Sequence, residues 1–292
     1  MMQFNSVEFI LNEVLLMICN ENKVKAKDGT NIFIRCWQPE GIIKAVVCLV
    51  HGYGEHSNRY ITVAEALTSE NVALIAFDLR GHGLSSGKRG HTPTYEHLMM
   101  DITMILDEAK TLYKNIPIFL YGHSMGGNLV LNYVLRNNPC LTGVIVTSPW
   151  LGLASPPSKP LLFLVKIMSK IYPSFGIKNK MDITHLSHDI KNNSDYKNDP
   201  LVHNFITTRL FTSIQSSGIW AIANSSNFNK DLLLMQGSED HITSLNATKD
   251  FASKIRSGIT FKIWEGMYHE IHNELDKKYV LDYMVSWIKE RL

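Results

Sequence analysis

The sequence predicts an α/β fold: a mostly parallel central sheet flanked by helices, with a helical cap inserted before a late, acid-bearing strand. Three observations predict it. Short, nearly continuous apolar runs recur along the chain. Stretches long enough for crossover helices separate them. The alternation stops once, between Ser148 and Asn229, and then resumes. Runs that are apolar on both faces belong to parallel strands covered by helices on either side.

The elements follow in order. A six-residue apolar run at residues 14–19 is preceded by Asn12-Glu13. It has no basic leader and is far too short to span a bilayer. It reads as an amphipathic helix in an N-terminal extension over residues 1–22. Asp28-Gly29 has the character of a hairpin turn and leads into a strand at residues 32–37. Further strands are expected at residues 45–50, 72–77, 116–121, 143–147, 232–235 and 260–264, rich in Val, Ile and Leu. Residues 61–70 and 95–114 fit crossover helices. Residues 128–136 are apolar on nearly all sides, which predicts a deeply buried helix.

Between Ser148 and Asn229 the chain carries Pro149, Pro156, Pro157, Pro160, Pro173 and Pro200 and no parallel-strand pattern. It holds an apolar helical stretch at 161–168 and a polar, Asn-rich patch at 191–198. Residues 149–229 therefore read as a cap of helices and loops over the sheet's C-terminal edge, where ligands of open α/β sheets bind. Residues 1–148 and 230–292 form the two parts of the core.

Composition excludes some classes. With 45% hydrophobic and 19% charged residues over 292 positions, the chain has ample core. A net charge of +2 without any Lys/Arg-rich run offers no field for nucleic acid. Cys19, Cys36, Cys48 and Cys140 lack C-x-x-C spacing, and three lie in or beside apolar runs. They read as reduced thiols of a cytoplasmic protein. Asn192, Asn224 and Asn246 begin N-x-S/T matches that read as chance in an Asn-rich chain.

The chemistry is carried by Tyr121-Gly122-His123-Ser124-Met125-Gly126-Gly127. An apolar run leads into this serine and a second leaves it. Strand, sharp turn, helix is the context in which a G-x-S-x-G serine is a nucleophile. Glycine spacing alone decides little, because Gly83-Leu84-Ser85-Ser86-Gly87 also fits. That copy lies beyond Asp78–Gly83, away from any strand end, and no helical pattern follows it. Ser85 reads as a loop serine.

A serine hydroxyl needs a base to take its proton and a third group to orient that base. Both partners should sit at later strand ends, acid first and histidine second. Asp240 lies in the turn after the strand at 232–235, with Glu239 as a neighbouring loop carboxylate. His269 lies in the exit loop of the last strand, and His272 reads as a helix or surface histidine. Two N–H donors should hold the oxyanion: Met125, next to the nucleophile, and Tyr53, in the glycine-rich loop His51-Gly52-Tyr53-Gly54.

These residues carry a resemblance. The motifs are His51-Gly52-x-Gly54-Glu55-His56-Ser57-x-Arg59-Tyr60, Asp78-x-Arg80-Gly81-His82-Gly83, Gly122-His123-Ser124-Met125-Gly126-Gly127, Asn198-Asp199-Pro200-Leu201, Gly237-Ser238-x-Asp240 and Glu265-Gly266-x-Tyr268-His269. In this order, over residues 25–292, the chain resembles the monoglyceride lipase and lysophospholipase branch of the α/β-hydrolases. The resemblance implies triad roles for Ser124, Asp240 and His269 and oxyanion roles for Tyr53 and Met125. It implies that Arg59, His123 and Tyr196 line the polar end of the pocket, where a glycerol group or leaving alcohol sits. It also implies a cap that admits an acyl chain and touches membranes peripherally. Tyr53 is bulkier than the small residue common at its position in the family, which predicts a narrower pocket.

The expected activity is hydrolysis of a monoacyl lipid or another small carboxylic ester through an acyl-enzyme, with no cofactor and no metal. An acyltransferase would share the first half-reaction, and a non-catalytic binding protein would share the fold. Epoxide hydrolase and dehalogenase chemistry is disfavoured, because those relatives carry an aspartate where this chain has Ser124.

Overall fold

The computed structural model of the chain describes residues 6–12, 15–179 and 181–292. In chain order the elements are β1 (Ser6–Asn12), β2 (Leu15–Lys25), β3 (Asn31–Pro39), β4 (Ala45–Val50), α1 (Ile61–Thr68), β5 (Val72–Phe77), α2 (Tyr95–Leu112), β6 (Ile118–His123), α3 (Met125–Asn137) and β7 (Gly143–Thr147). Then come α4 (Lys159–Ile171), β8 (Gly176–Lys178), α5 (Ile190–Asn198), β9 (Phe205–Thr207), α6 (Thr208–Asn224), β10 (Leu232–Gly237), α7 (Leu245–Ser253), β11 (Ile259–Trp264) and α8 (Lys277–Lys289).

Among the described residues, nine strands form one sheet in the order β1-β2-β3-β5-β4-β6-β7-β10-β11. From β5 to β11 all neighbours are parallel, and β1 to β3 add an antiparallel edge. The core alternates along each strand with a period of two. In β4, Val46, Cys48 and Val50 face the layer of α2, α3, α6 and α7. Val47 and Leu49 face α1 and α8. Because helices cover both faces, β4, β5, β6, β7 and β10 are buried throughout. That double coverage is why they read as continuous apolar runs.

Strand β4 is the switch point of the sheet, with β5 on one side and β6 on the other. The loops leaving β4 and β6 therefore face each other across a crevice at the strands' carboxyl ends. The buried helix expected after Ser124 is α3, whose residues from Met125 to Val134 are all buried.

The N-terminal expectation is corrected. The run at residues 14–19 is not an amphipathic helix: β2 begins at Leu15 and pairs antiparallel with β3, Cys19 opposite Trp37. Residues 1–5 and 13–14 of the expected extension lie outside the described residues. The reason is local and tertiary together. Six apolar residues are too few to hold an isolated helix, and β3 offers an unpaired edge. As a strand, the run buries Met17 and Cys19 with Trp37 and α1, with half-buried Ile18 between them.

Residues 149–229 hold α4, α5 and the short antiparallel pair β8–β9, which the sequence reading did not anticipate. They also hold α6, which does not stand apart from the core. Leu210, Ile214 and Ala221 of α6 pack into the α2–α3 layer. Asn128 of α3 donates to the carbonyls of Trp150 and Ile214 at 2.8 and 3.1 Å, and Ser217 donates to Asn128 Oδ1 at 2.9 Å. No helix among the described residues is long and apolar enough to cross a membrane.

Leu49 is fully buried near the carboxyl end of β4. Leu49→Ala is expected to lower unfolding free energy by about 2–5 kcal/mol, measured by urea denaturation.

Candidate active site

Ser124 occupies the turn between β6 and α3 with φ +53° and ψ −115°, a conformation costly for a non-glycine residue. Its neighbours enforce it. Ser124 N donates to the Thr147 carbonyl at 3.0 Å, and its own carbonyl accepts from Asn128 N and Trp150 N. A Cβ on Gly122 would meet the Gly126 carbonyl at 2.4 Å, and one on Gly126 would meet the Val50 carbonyl at 1.9 Å. The two glycines thus let α3 start directly against β4 and β6. Met125 is the first helical residue, so its N–H has no carbonyl partner inside the helix.

The second G-x-S-x-G copy is engaged differently. Ser85 Oγ donates to the Asp78 carbonyl at 2.5 Å and accepts from Phe33 N at 2.8 Å. Both functions of that hydroxyl hold a loop onto β3.

The exit loops of β10 and β11 bring two side chains to Ser124. His269 Nε2 lies 3.0 Å from Ser124 Oγ, and His269 Nδ1 lies 2.9 Å from Asp240 Oδ2. Asp240 Oδ1 accepts from the N–H groups of Ile242 and Thr243, each at 2.9 Å. Oδ2 also accepts from Thr243 Oγ1 at 2.6 Å and Gln236 Nε2 at 2.9 Å. Burial alone would push the His269 imidazole down, but the Asp240 carboxylate reverses this and holds it above its ordinary value. Burial likewise works to raise Asp240, and the facing His269 with the Thr243 bonds brings it below the ordinary carboxylate range. Both shifts describe one pair that favours imidazolium beside carboxylate. Ser148 Oγ donates to the His269 carbonyl at 2.7 Å and fixes the loop's backbone. Glu239 is exposed and takes no part.

Across the crevice, the β4 exit loop approaches closely: a Cβ on Gly52 would lie 3.2 Å from Ser124 Cβ. Tyr53 follows, and its ring packs edge-on to His82, Trp150 and His203 while lining the chamber above Ser124. His123 and Tyr196 line the same chamber. His123 is buried, bonded through Nδ1 to Thr147 Oγ1 at 2.9 Å, and kept neutral by burial and by His272 and His269 nearby.

Arg59 is placed differently from its expected role on the pocket wall. Its side chain is buried against Glu55 and Glu270, which do face the chamber. Its guanidinium donates to both Glu270 oxygens at 2.6 and 2.9 Å and to Glu55 at 3.2 Å, and it stacks 4.6 Å from the Tyr196 ring centroid. Asn192, one of the N-x-S/T asparagines, donates to Glu270 at 3.0 Å. His272, read as a helix or surface histidine, lies in a short 3-10 helix (Ile271–Asn273) and is fully buried rather than on the surface, stacked on Tyr60 at 5.0 Å and pushed down to about 4 by burial.

An inner chamber lies over Ser124 and adjoins an outer one. The inner one, about 310 Å³, carries the polar groups Glu55, His123, Tyr196 and Glu270 beside Ser124 and His269. The outer one, about 470 Å³, is walled by Leu161, Leu162, Leu164, Val165 and Met168 of α4 with Phe211. They share Trp150, Leu153, Ser155 and Asn179. Sequence reasoning did not single out Glu270, Thr243, Gln236 or Trp150. Glu270 is adjacent to His269 and Glu55 sits within a quoted motif, but nothing in spacing aims either at a cavity.

Residues 41–276 match the family described as serine aminopeptidase, S33. An uncharacterized abhydrolase domain-containing protein of Dictyostelium discoideum is 37% identical over 281 residues, 94% of this chain; the chain spans 30% of that relative's length. The monoglyceride lipase of Mus musculus is 30% identical, covering 91% of this chain and 89% of its own. The crystal structure of the Paleococcus ferrophilus monoacylglycerol lipase superposes with a TM-score of 0.82 at 30% identity, over 89% of this chain and 99% of that one.

Arg59→Met would leave Glu55 and Glu270 buried without their counter-charge and is expected to cost about 3–5 kcal/mol, read as a lower urea midpoint. An unchanged midpoint with a raised KM would instead put Arg59 in contact with substrate.

Proposed function

The chain belongs to the serine aminopeptidase S33 family, in the monoglyceride lipase branch of the α/β-hydrolases, and on that premise we propose that this serine hydrolase cleaves monoacylglycerols or closely related monoacyl esters. One observation carries the reading: the Ser124–His269–Asp240 hydrogen-bond chain opens into a polar chamber that adjoins an apolar one. A monoacyl ester has that shape, with a hydroxyl-bearing head, a carbonyl and a long apolar tail.

In the proposed mechanism His269 Nε2 takes the Ser124 proton as Oγ attacks the ester carbonyl. The imidazolium that forms is stabilised by Asp240. The N–H groups of Met125 and Tyr53 hold the oxyanion, the first with the help of the α3 N-terminus. His269 then delivers its proton to the leaving alcohol, and water clears the acyl-enzyme by the same route. The carboxylates of Glu55 and Glu270 are acceptors for alcohol hydroxyls, and Tyr196 and His123 stand beside them. The α4 wall receives the acyl chain. The outward side of α4, with Phe163 67% and Ile171 75% exposed and Lys166 and Lys170 among them, suits peripheral contact with a lipid surface.

Ser124→Ala is expected to lower ester turnover by a factor on the order of 10³ or more, and a fluorophosphonate probe should label Ser124 and leave Ser85 unlabelled. Labelling at Ser85, or near-normal turnover by the alanine variant, would remove Ser124 from the mechanism. Replacing Leu162 and Val165 together by Asn should reduce kcat/KM for long-chain monoacylglycerols about tenfold or more while changing short-chain esters little. Equal losses on both would make the α4 wall structural only. Aminoacyl amides in the same substrate panel test peptidase activity, and faster turnover of those would overturn the ester reading.

A further inference from the structure

The Asp240 carboxylate is held by more than its turn requires. Its Oδ1 takes the two backbone N–H groups of the loop. Its Oδ2, the oxygen facing His269, takes two side-chain donors as well, from Thr243 and Gln236. Thr243 is fully buried, and its one hydroxyl proton has a choice of acceptors: Asp240 Oδ2 at 2.6 Å or the Ser148 carbonyl at 3.2 Å. The nearer, charged oxygen takes it. Gln236 Nε2 donates to Thr243 Oγ1 at 3.1 Å, which polarises the hydroxyl towards the carboxylate. Thr243 Oγ1 also lies 3.5 Å from His269 Nδ1, beside the ring.

We propose that Thr243 is a positioning residue of the reaction: its hydroxyl fixes Asp240 Oδ2 on His269 and shares the negative charge that the imidazole would otherwise meet alone. This rests on the triad reading above. Three donors divide one oxygen's charge, so the carboxylate orients the base without binding its conjugate acid too tightly. Removing the Thr243 donor leaves more charge on Oδ2. The imidazolium is then better stabilised, His269 keeps its proton to higher pH, and the free base needed for attack disappears at higher pH. The other charged or titratable groups facing His269 are unchanged by such a substitution. They are Glu55 from the β4 loop, His123 from β6, and Glu270 and His272 from its own loop.

The test is the rate of Ser124 phosphonylation by a fluorophosphonate as a function of pH. Thr243→Val keeps the shape and removes the donor, and should move the acid limb upward by about 0.5 to 1 pH unit. Thr243→Ser should return it. A limb that stays in place in the valine variant, or that the serine variant does not restore, overturns the proposal while Ser124 labelling keeps the triad reading standing. No labelling of Ser124 in the unchanged chain overturns both. Should the valine variant not fold, Thr243→Cys, whose thiol is a weak donor, is read in the same way.

Discussion

Everything at this site depends on how closely α3 is seated against β4. Gly126 lies where any Cβ would collide with the Val50 carbonyl, so the helix starts with no side chain between it and the sheet. That contact forces Ser124 into positive φ and lifts its Oγ above the carboxyl ends of the strands. It also sets the first N–H groups of α3 beside the glycine-rich exit of β4. The strain at one residue is sustained by bonds on both sides, from Thr147 behind and from Asn128 and Trp150 ahead.

Around that elbow the molecule solves a second problem, the burial of charge. Asp240, Glu55, Glu270 and Arg59 are all nearly inaccessible. Each is tolerable only because its polar atoms are occupied. Asp240 is ringed by five donors, and Glu270 is gripped by Arg59, Asn192 and Asn273. These two networks flank His269 and serve different ends. One orients a base. The other presents carboxylate oxygens to the inner chamber while Arg59, buried against them, balances their charge. Burying Arg59 against these carboxylates changes what a substitution there would report, since its loss disturbs the protein before it disturbs any ligand.

The apolar chamber introduces a different physics. Its wall is α4, in which only Ser169 is buried and much of the apolar surface stays open. The helix is therefore held by few packed side chains, whereas α6, from the same inserted segment, is tied to α3 through Asn128, Asn132 and Ser217. One segment of sequence thus supplies both a rigid part of the core layer and a loosely packed apolar wall.

The sequence by itself determined β3 to β7, β10 and β11, the buried α3 and the positions of Ser124, Asp240 and His269 at strand ends. Those are local statements: a strand covered on both faces must be apolar at every position, and a strained turn must be flanked by glycine. It misread β2, because a short apolar run has no preference until an edge such as β3 is present to pair with it. It assigned Arg59 to the pocket wall and left His272 as a helix or surface histidine without foreseeing its burial, because motif and chain position do not encode direction. Only the tertiary structure decided that Glu55 and Glu270 face the chamber, that Thr243 and Gln236 converge on one carboxylate oxygen, and that α6 belongs to the core. Those outcomes depend on residues far apart in the chain meeting in a buried space, where each polar atom must find a partner among whatever the fold has brought near.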